Sequence, residues 1–251
     1  MSQLAIRPVE GLPEIEAGVP LGAMLADAAR PQDGEIVVVS HKVVSKAEGR
    51  TRDLSSVVAS ARAVELAQRL AKDPRMVELV LQETAEVIRA EPGVLIVETR
   101  SGLICANAGI DSSNVPGDDR VVLLPEHPDI SARRLRAEIR RAGGQAPAVV
   151  VADSFGRAWR IGQTDVAIGC AGLLPLDDWR GRHDRDGDDL AATEIAIADE
   201  VAAAASLARD KASGQPAAVI SGLARHVTPD DGPGAAALRR DPARDHFRWR
   251  G

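Results

Sequence analysis

The chain has 251 residues, 45% of them hydrophobic and 27% charged, with a formal net charge of −6. That length suits one large domain or two small ones and buries enough surface to need no disulfide or metal staple. The composition excludes wholesale disorder, and the negative charge argues against a surface that coats nucleic acid. No apolar run approaches the ~20 residues of a membrane span, and the N-terminus lacks the basic and apolar regions of a secretory signal. Cys105 and Cys170 stand 65 residues apart in no CxxC setting, which fits a reducing cytoplasm.

Two biases stand out. There is no Tyr, with two Phe and three Trp, so the core must come from Ala, Val, Leu and Ile. There are four Lys against 27 Arg, and two of the four, Lys42 and Lys46, lie four residues apart. Codon bias in a GC-rich genome explains the general preference but not the pair.

In chain order, EIVVV (35–39) predicts a buried strand. Apolar residues at spacings of three and four predict a helix over 54–72, broken at Asp73-Pro74, and a second over 75–90. VLIVET (94–99) and LICAN (103–107) predict a hairpin, and RVVLLP (120–125) a strand. SARRLRAEIRRAGG (131–144) predicts a basic helix that stops at its glycines. AVVVAD (148–153) predicts a buried strand with an acid at its end, and 164–170 is strand-like. An Ala-rich helix follows over 190–209, then the strand AAVIS (217–221) and a charged tail. No repeat or linker marks a boundary, and hairpins interrupt any βαβ rhythm. The expected class is α+β, with mixed and antiparallel sheets flanked by helices.

No P-loop, dinucleotide fingerprint, zincin helix or nucleophile elbow occurs. The acidic run Asp184–Asp189 fails the EF-hand pattern, because Asp189 stands where Gly is needed and Ile195 where Glu is needed. It reads as a solvated turn.

Three polar segments remain. Ser40–Arg50 follows the first strand, and its cations suit either a solvated loop or a phosphate contact. Ala106–Val115 holds Asp111 and Asn114 three apart, which reads as an Asx-turn or as a cation ligand beside a base- or ribose-reading amide. Asp153–Asp165 opens with an acid and a hydroxyl, Ser154, at a strand end, either a helix cap or a metal ligand set. Arg157 and Arg160, on an irregular or one-turn segment, can fork onto carboxylates or phosphates. Together these oxygens and cations suit magnesium or manganese with a phosphorylated ligand, not zinc or copper. The five His are scattered, and both Cys read as small core residues.

At SHKVVSKAEGR (40–50), GLICANAGIDSSNV (102–115), LLPEHPDISA (123–132), ADSFGRAWRIGQTDVAIGCAGLLPL (152–176), DWRGRHDRDGDDL (178–190) and TEIAIADEVAAAASLARDK (193–211), the sequence resembles the coenzyme F420:L-glutamate ligase family. The likeness runs from about Gly11 to Phe247. It implies GTP-dependent joining of L-glutamate to coenzyme F420-0, then further γ-linked glutamates, with release of GDP and phosphate. It also implies Mg or Mn, often K, and a homodimer of an unusual α+β fold. The expectation is a single module over 1–251, with two interwoven subdomains as an option. Some actinobacterial members carry a fused C-terminal flavin-binding domain, for which this length leaves no room.

By resemblance, Leu12, Pro13, Glu14 and Ile15 match a nucleotide-contacting segment, and His41 and Lys46 match GTP contacts. A hydroxyl residue is common at the position of His41, so His41 is a departure. Asp111 and Asp153 match metal ligands, Ser154 the hydroxyl beside them, and Asn114 a nucleotide contact. Trp179 stands where a Tyr is frequent. Lys46 is expected to offset phosphate charge, and Arg157 and Arg160, chosen by charge and place alone, to hold the carboxylates of acceptor or glutamate. A ligase of the same family acting on another acid, a metal-dependent nucleotide phosphohydrolase and a silent nucleotide-binding subunit are the alternatives.

Overall fold

A computed structural model describes residues 3–112, 119–209 and 214–247. The chain opens with strand β1 (Ala5–Pro8) and helix α1 (Leu21–Ala29), then β2 (Ile36–Ser40) and α2 (His41–Ala47). β3 (Thr51–Asp53), α3 (Ala61–Leu70) and α4 (Pro74–Glu83) lead into β4 (Thr84–Glu91), β5 (Val94–Thr99) and β6 (Ile104–Ala106). β7 (Arg120–Val122) precedes α5 (Pro128–Gly143), and β8 (Ala148–Arg157) turns into β9 (Arg160–Ala171). The short β10 (Asp177–Asp178) and β11 (Glu194–Ile195), then α6 (Ile197–Ala208) and β12 (Ala217–Ser221), complete the list. The arrangement is α+β, as expected.

The main sheet has the order β1-β12-β2-β8-β9, and only β2 and β8 pair parallel. Ile36–Val39 and Ala148–Ala152 are buried on both faces, which is why these runs are continuously apolar rather than alternating. Val37, Val39, Val149 and Val151 pack with Leu25, Leu135 and Ile139 of α1 and α5. Ile36, Val38, Val150 and Ala152 face the Ala-rich α6. Gly169 lets α5 sit directly on the sheet, since a Cβ there would lie 2.3 Å from the Pro128 carbonyl. A second sheet, β4-β5-β6, packs with α3 and α4, and β3 pairs β7. Among the described residues no helix is long and apolar enough to cross a membrane.

Several expectations are corrected. The helix predicted from residue 54 starts at Ala61, where Ser60 accepts the Ala63 N–H as its cap. The helix predicted over 75–90 ends at Glu83, and 84–91 is a strand. Pro92-Gly93 is a two-residue hairpin turn, with Gly93 at φ +79°, which lets Thr84–Glu91 fold onto β5. The apolar spacing there fits both periods, and pairing decides it. The basic helix starts earlier, at Pro128, and stops at Gly144 (φ +79°). The Ala-rich helix is trimmed to 197–208. Ser40–Arg50 is not a loop: His41–Ala47 is helical. The strand predicted to end at Asp153 continues to Arg157, and Arg157 and Arg160 are paired across a hairpin turn at Ala158-Trp159, not set on an irregular segment. This outer arm is solvent-exposed, so no apolar signal announces it.

Candidate functional site

The parallel pairing of β2 and β8 matches Ser40 with Ala152, so both strands deliver their next residues to one end of the sheet. Ligands in sheets with parallel strands commonly bind beyond such carboxyl ends. At β2 the Ser40 hydroxyl caps α2, accepting the Lys42 N–H at 3.4 Å. The helix then presents His41, Lys42 and Lys46 to three segments distant in sequence.

His41 meets β8: its Nε2 lies 3.2 Å from Asp153 Oδ1. The alignment is too poor for a hydrogen bond, and neither ring nitrogen has one. Lys42 Nζ pairs with Asp111 Oδ2 at 2.8 Å. Asp111 is held in place by two backbone hydrogen bonds exchanged with Val122 of β7, at 3.0 and 2.8 Å. Lys46 Nζ pairs with Glu14 Oε1 at 2.5 Å, and the Ala47 carbonyl accepts the Gly18 N–H at 2.8 Å. Thus Leu12–Ile15 is fastened to the end of the helix whose start faces the two aspartates. Ile15 is buried and Leu12 half-buried against the core, while Pro13 and Glu14 are exposed.

The oxygen chemistry fits a hard divalent cation. Asp153 and Asp111 keep 13% and 36% of their side chains exposed, enough for an incoming ion to reach them. His41, 1% exposed, and the buried Ser45 hydroxyl carry polar atoms without hydrogen bonds. Such orphaned groups are rare in an interior, and a water, an ion or a ligand can satisfy them. Among the described residues no three His, Cys, Asp or Glu side chains form a complete metal cage. A cation here would therefore take its remaining ligands from water or phosphate oxygens.

Alternation along β8 separates Asp153 from Ser154. Asp153 is in phase with Val149 and Val151, toward α1 and α5, whereas Ser154 is in phase with Val150 and Ala152, toward α6. Ser154 Oγ donates to Asp165 Oδ1 at 2.6 Å, across the β8–β9 pair. Arg209, just after α6, donates to Asp165 Oδ2 at 2.6 Å. Nothing in the local sequence pairs Asp165 with Arg209 or singles out Ser45. Only the strand register shows that Asp165 shares a face with Ser154.

Arg157 and Arg160 lie at the tip of the arm, about 13 Å along the strand from Asp153 at ~3.3 Å per residue. Arg157 Nη2 donates to the Ile161 carbonyl at 2.8 Å. Within one chain they are not gathered with the cluster around α2. Asn114 and Lys211 lie outside the described residues. Burial, helped by the Asp153 charge, pushes the Cys105 thiol up to about 12, and burial does the same to Cys170. Neither is a thiolate near neutrality, so both are packing residues. The run Asp184–Asp189 is an exposed turn, in which Asp184 accepts the N–H groups of Asp186 and Asp188.

The chain matches the family model of F420-0:gamma-glutamyl ligase over residues 11–222. It is 45% identical over 247 residues to a coenzyme F420:L-glutamate ligase of Haloarcula marismortui, covering 96% of this chain and 94% of the relative. The protein of that name from Methanopyrus kandleri is 40% identical over 247 residues, covering 98% of each chain. That of Halorubrum lacusprofundi is 47% identical over 218 residues, covering 84% of each.

Proposed function

The chain belongs to the F420-0:gamma-glutamyl ligase family and is a ligase, and from that premise we propose that it joins L-glutamate to coenzyme F420-0 at the expense of GTP. Further γ-linked glutamates follow by the same chemistry. The observation that carries this reading is the gathering of Asp153, Asp111 and Glu14 around one helix by its residues His41, Lys42 and Lys46.

A carboxylate resists an amine at neutral pH because its oxygen is a poor leaving group. In the proposed reaction an acceptor carboxylate oxygen attacks the γ-phosphorus of GTP, the bond to the β-phosphate oxygen breaks, and GDP leaves. The glutamate amine then attacks the carbonyl carbon of this acyl phosphate, phosphate departs, and the amine proton is lost. Little covalent chemistry falls to the protein, whose work is placement and charge neutralisation. Asp111 and Asp153 would hold a magnesium or manganese ion, which when bound neutralises phosphate charge. Ser154 offers a neighbouring hydroxyl and Lys46 offsets phosphate charge, with Lys42 beside it. Leu12, Pro13, Glu14 and Ile15 flank the nucleotide, with His41 and Asn114 as further contacts. Arg157 and Arg160 are the cations proposed for the carboxylates of acceptor or glutamate. A potassium ion, a homodimer and a cytoplasmic location complete the reading.

Mass spectrometry after incubation with GTP, manganese, L-glutamate and F420-0 tests it. A ladder of one-glutamate mass steps is expected. Phosphate release without such a product would favour a phosphohydrolase, and product only with another acid would redirect the acceptor. Asp153→Asn with near wild-type ligation would overturn the metal role. Calorimetry with GTP and ATP tests the nucleotide preference.

A further inference from the structure

The Ser154, Asp165 and Arg209 side chains form a chain of charge-assisted contacts leading from the interior to a half-buried hydroxyl. Arg209 is 8% exposed and Asp165 13%. Arg209 Nη1 also donates to the Pro216 carbonyl at 3.0 Å. That same carbonyl accepts the Ser40 N–H at 2.8 Å. One guanidinium therefore ties the start of α2, with its His41 and Lys42, to the strand position that carries Ser154. Neither contact belongs to the cluster around Asp111 and Asp153.

The direction of the hydrogen bonds matters. A guanidinium has only donors, so Asp165 faces it as an acceptor. The Asp165 carboxylate in turn can only accept, so the Ser154 hydroxyl must donate. A serine whose single proton is committed in this way turns its oxygen lone pairs outward, ready to meet a cation.

We propose that Asp165 and Arg209 are positioning residues that orient the Ser154 hydroxyl as a cation ligand and set it relative to α2. This rests on the reading of a divalent-cation site at the end of β8, where the strand has passed its last pairing with β2, at Ser40–Ala152, so that residues of both faces border the same strand edge. The arrangement is that of an outer shell, in which groups that never touch the ion fix the orientation of those that do.

Asp165→Asn tests the polarity. The buried guanidinium requires an acceptor, so the Asn oxygen faces Arg209 and its amide faces Ser154. The hydroxyl then accepts from the amide and points its proton toward the ion. Manganese binding to the full-length protein is measured by calorimetry and electron paramagnetic resonance, with and without GTP. D165N is expected to weaken manganese binding by about tenfold to a hundredfold, the usual cost of losing an outer-shell partner. Ser154→Ala is expected to weaken it similarly, and the double variant no further, because the two act through one oxygen. Wild-type affinity in D165N, or losses that add in the double variant, would overturn the proposal. S154A removes no charge and keeps the question testable if D165N does not fold: unchanged manganese affinity in S154A alone would also overturn it. Asp153→Asn separates the two readings. If D153N also binds manganese like the wild type, the cation site itself fails, whereas loss in D153N with none in D165N sinks only the positioning role.

Discussion

Lys42 Nζ and Asp111 Oδ2 are 2.8 Å apart, although 69 residues separate them in sequence. The lysine belongs to the first turn of α2, and the aspartate is fixed by its backbone bridge to Val122. Its neighbour His41 lies against Asp153. Two consecutive residues of one helix thus bring two distant carboxylates to the same end of the main sheet.

For this pair the expected result is a split between stability and activity. Lys42→Met should change the unfolding free energy by no more than about 1 kcal/mol, since both side chains are partly exposed. Ligation should fall roughly tenfold or more, the scale of a lost charge-assisted contact. Thermal melts and initial rates measured side by side check this. A variant that melts normally and keeps its full rate would remove Lys42 from the site.

Arg136 of α5 predicts a purely structural loss. It is 6% exposed and donates to the carbonyls of Pro147, Thr228, Pro229 and Asp230 and to the Asp231 carboxylate. Arg136→Met leaves the buried Pro147 carbonyl, the half-buried Thr228 carbonyl and the more exposed acceptors of residues 229–231 without their donor. A destabilisation of about 1–3 kcal/mol is expected, read as a lower urea midpoint. A midpoint near wild type would mean that water satisfies these carbonyls.

Gly169 sets how closely α5 approaches β9. A methyl group there would meet the Pro128 carbonyl and the Asp129 backbone nitrogen, at 2.3 and 2.8 Å. Backbone cannot swing aside as a side-chain tip can. Gly169→Ala is expected to cost about 1–3 kcal/mol as overpacking. Because Asp129 also accepts the N–H groups of Cys170, Ala235 and Ala236, the shift should loosen the 234–238 turn. Faster amide exchange at Ala235 and Ala236 would report it.

His226 predicts the acid limb of stability. It is buried, and desolvation first, then the Arg225 charge, hold its imidazole below the ordinary value near 6.5. The unfolded chain therefore binds the proton more readily than the native one. The stability this site contributes is complete above about pH 6.5 and is lost as pH falls toward the depressed native value. His226→Gln should flatten the fall of melting temperature in that window. A variant with the same slope as wild type would place the sensitivity elsewhere.

The polar groups of the candidate site were legible because they stand in short segments of sequence. Lys46, Asp111 and Asp153 stand in short polar segments visible in the sequence, the 12–15 segment enters by resemblance alone, and the structure gathers all four around α2. The strands β2 and β8 were legible for a different reason, since burial on both faces writes an unbroken apolar run. β4 is not legible because its residues suit two periods, nor is the arm beyond Asp153, because exposed strands carry no apolar signal.

By itself, then, the sequence determined the α+β class, the central strands, the buried inert cysteines and the kinds of polar group on offer. These follow from composition and short-range pattern. Only the tertiary structure decided which carboxylate faces which cation, that Asp153 and Ser154 point to opposite faces, and that Arg209, just after α6, reaches Asp165. Those relations depend on strand register and helix docking. Both are set by which apolar faces pack together, and a one-residue slip would send every side chain on the strand to the other face.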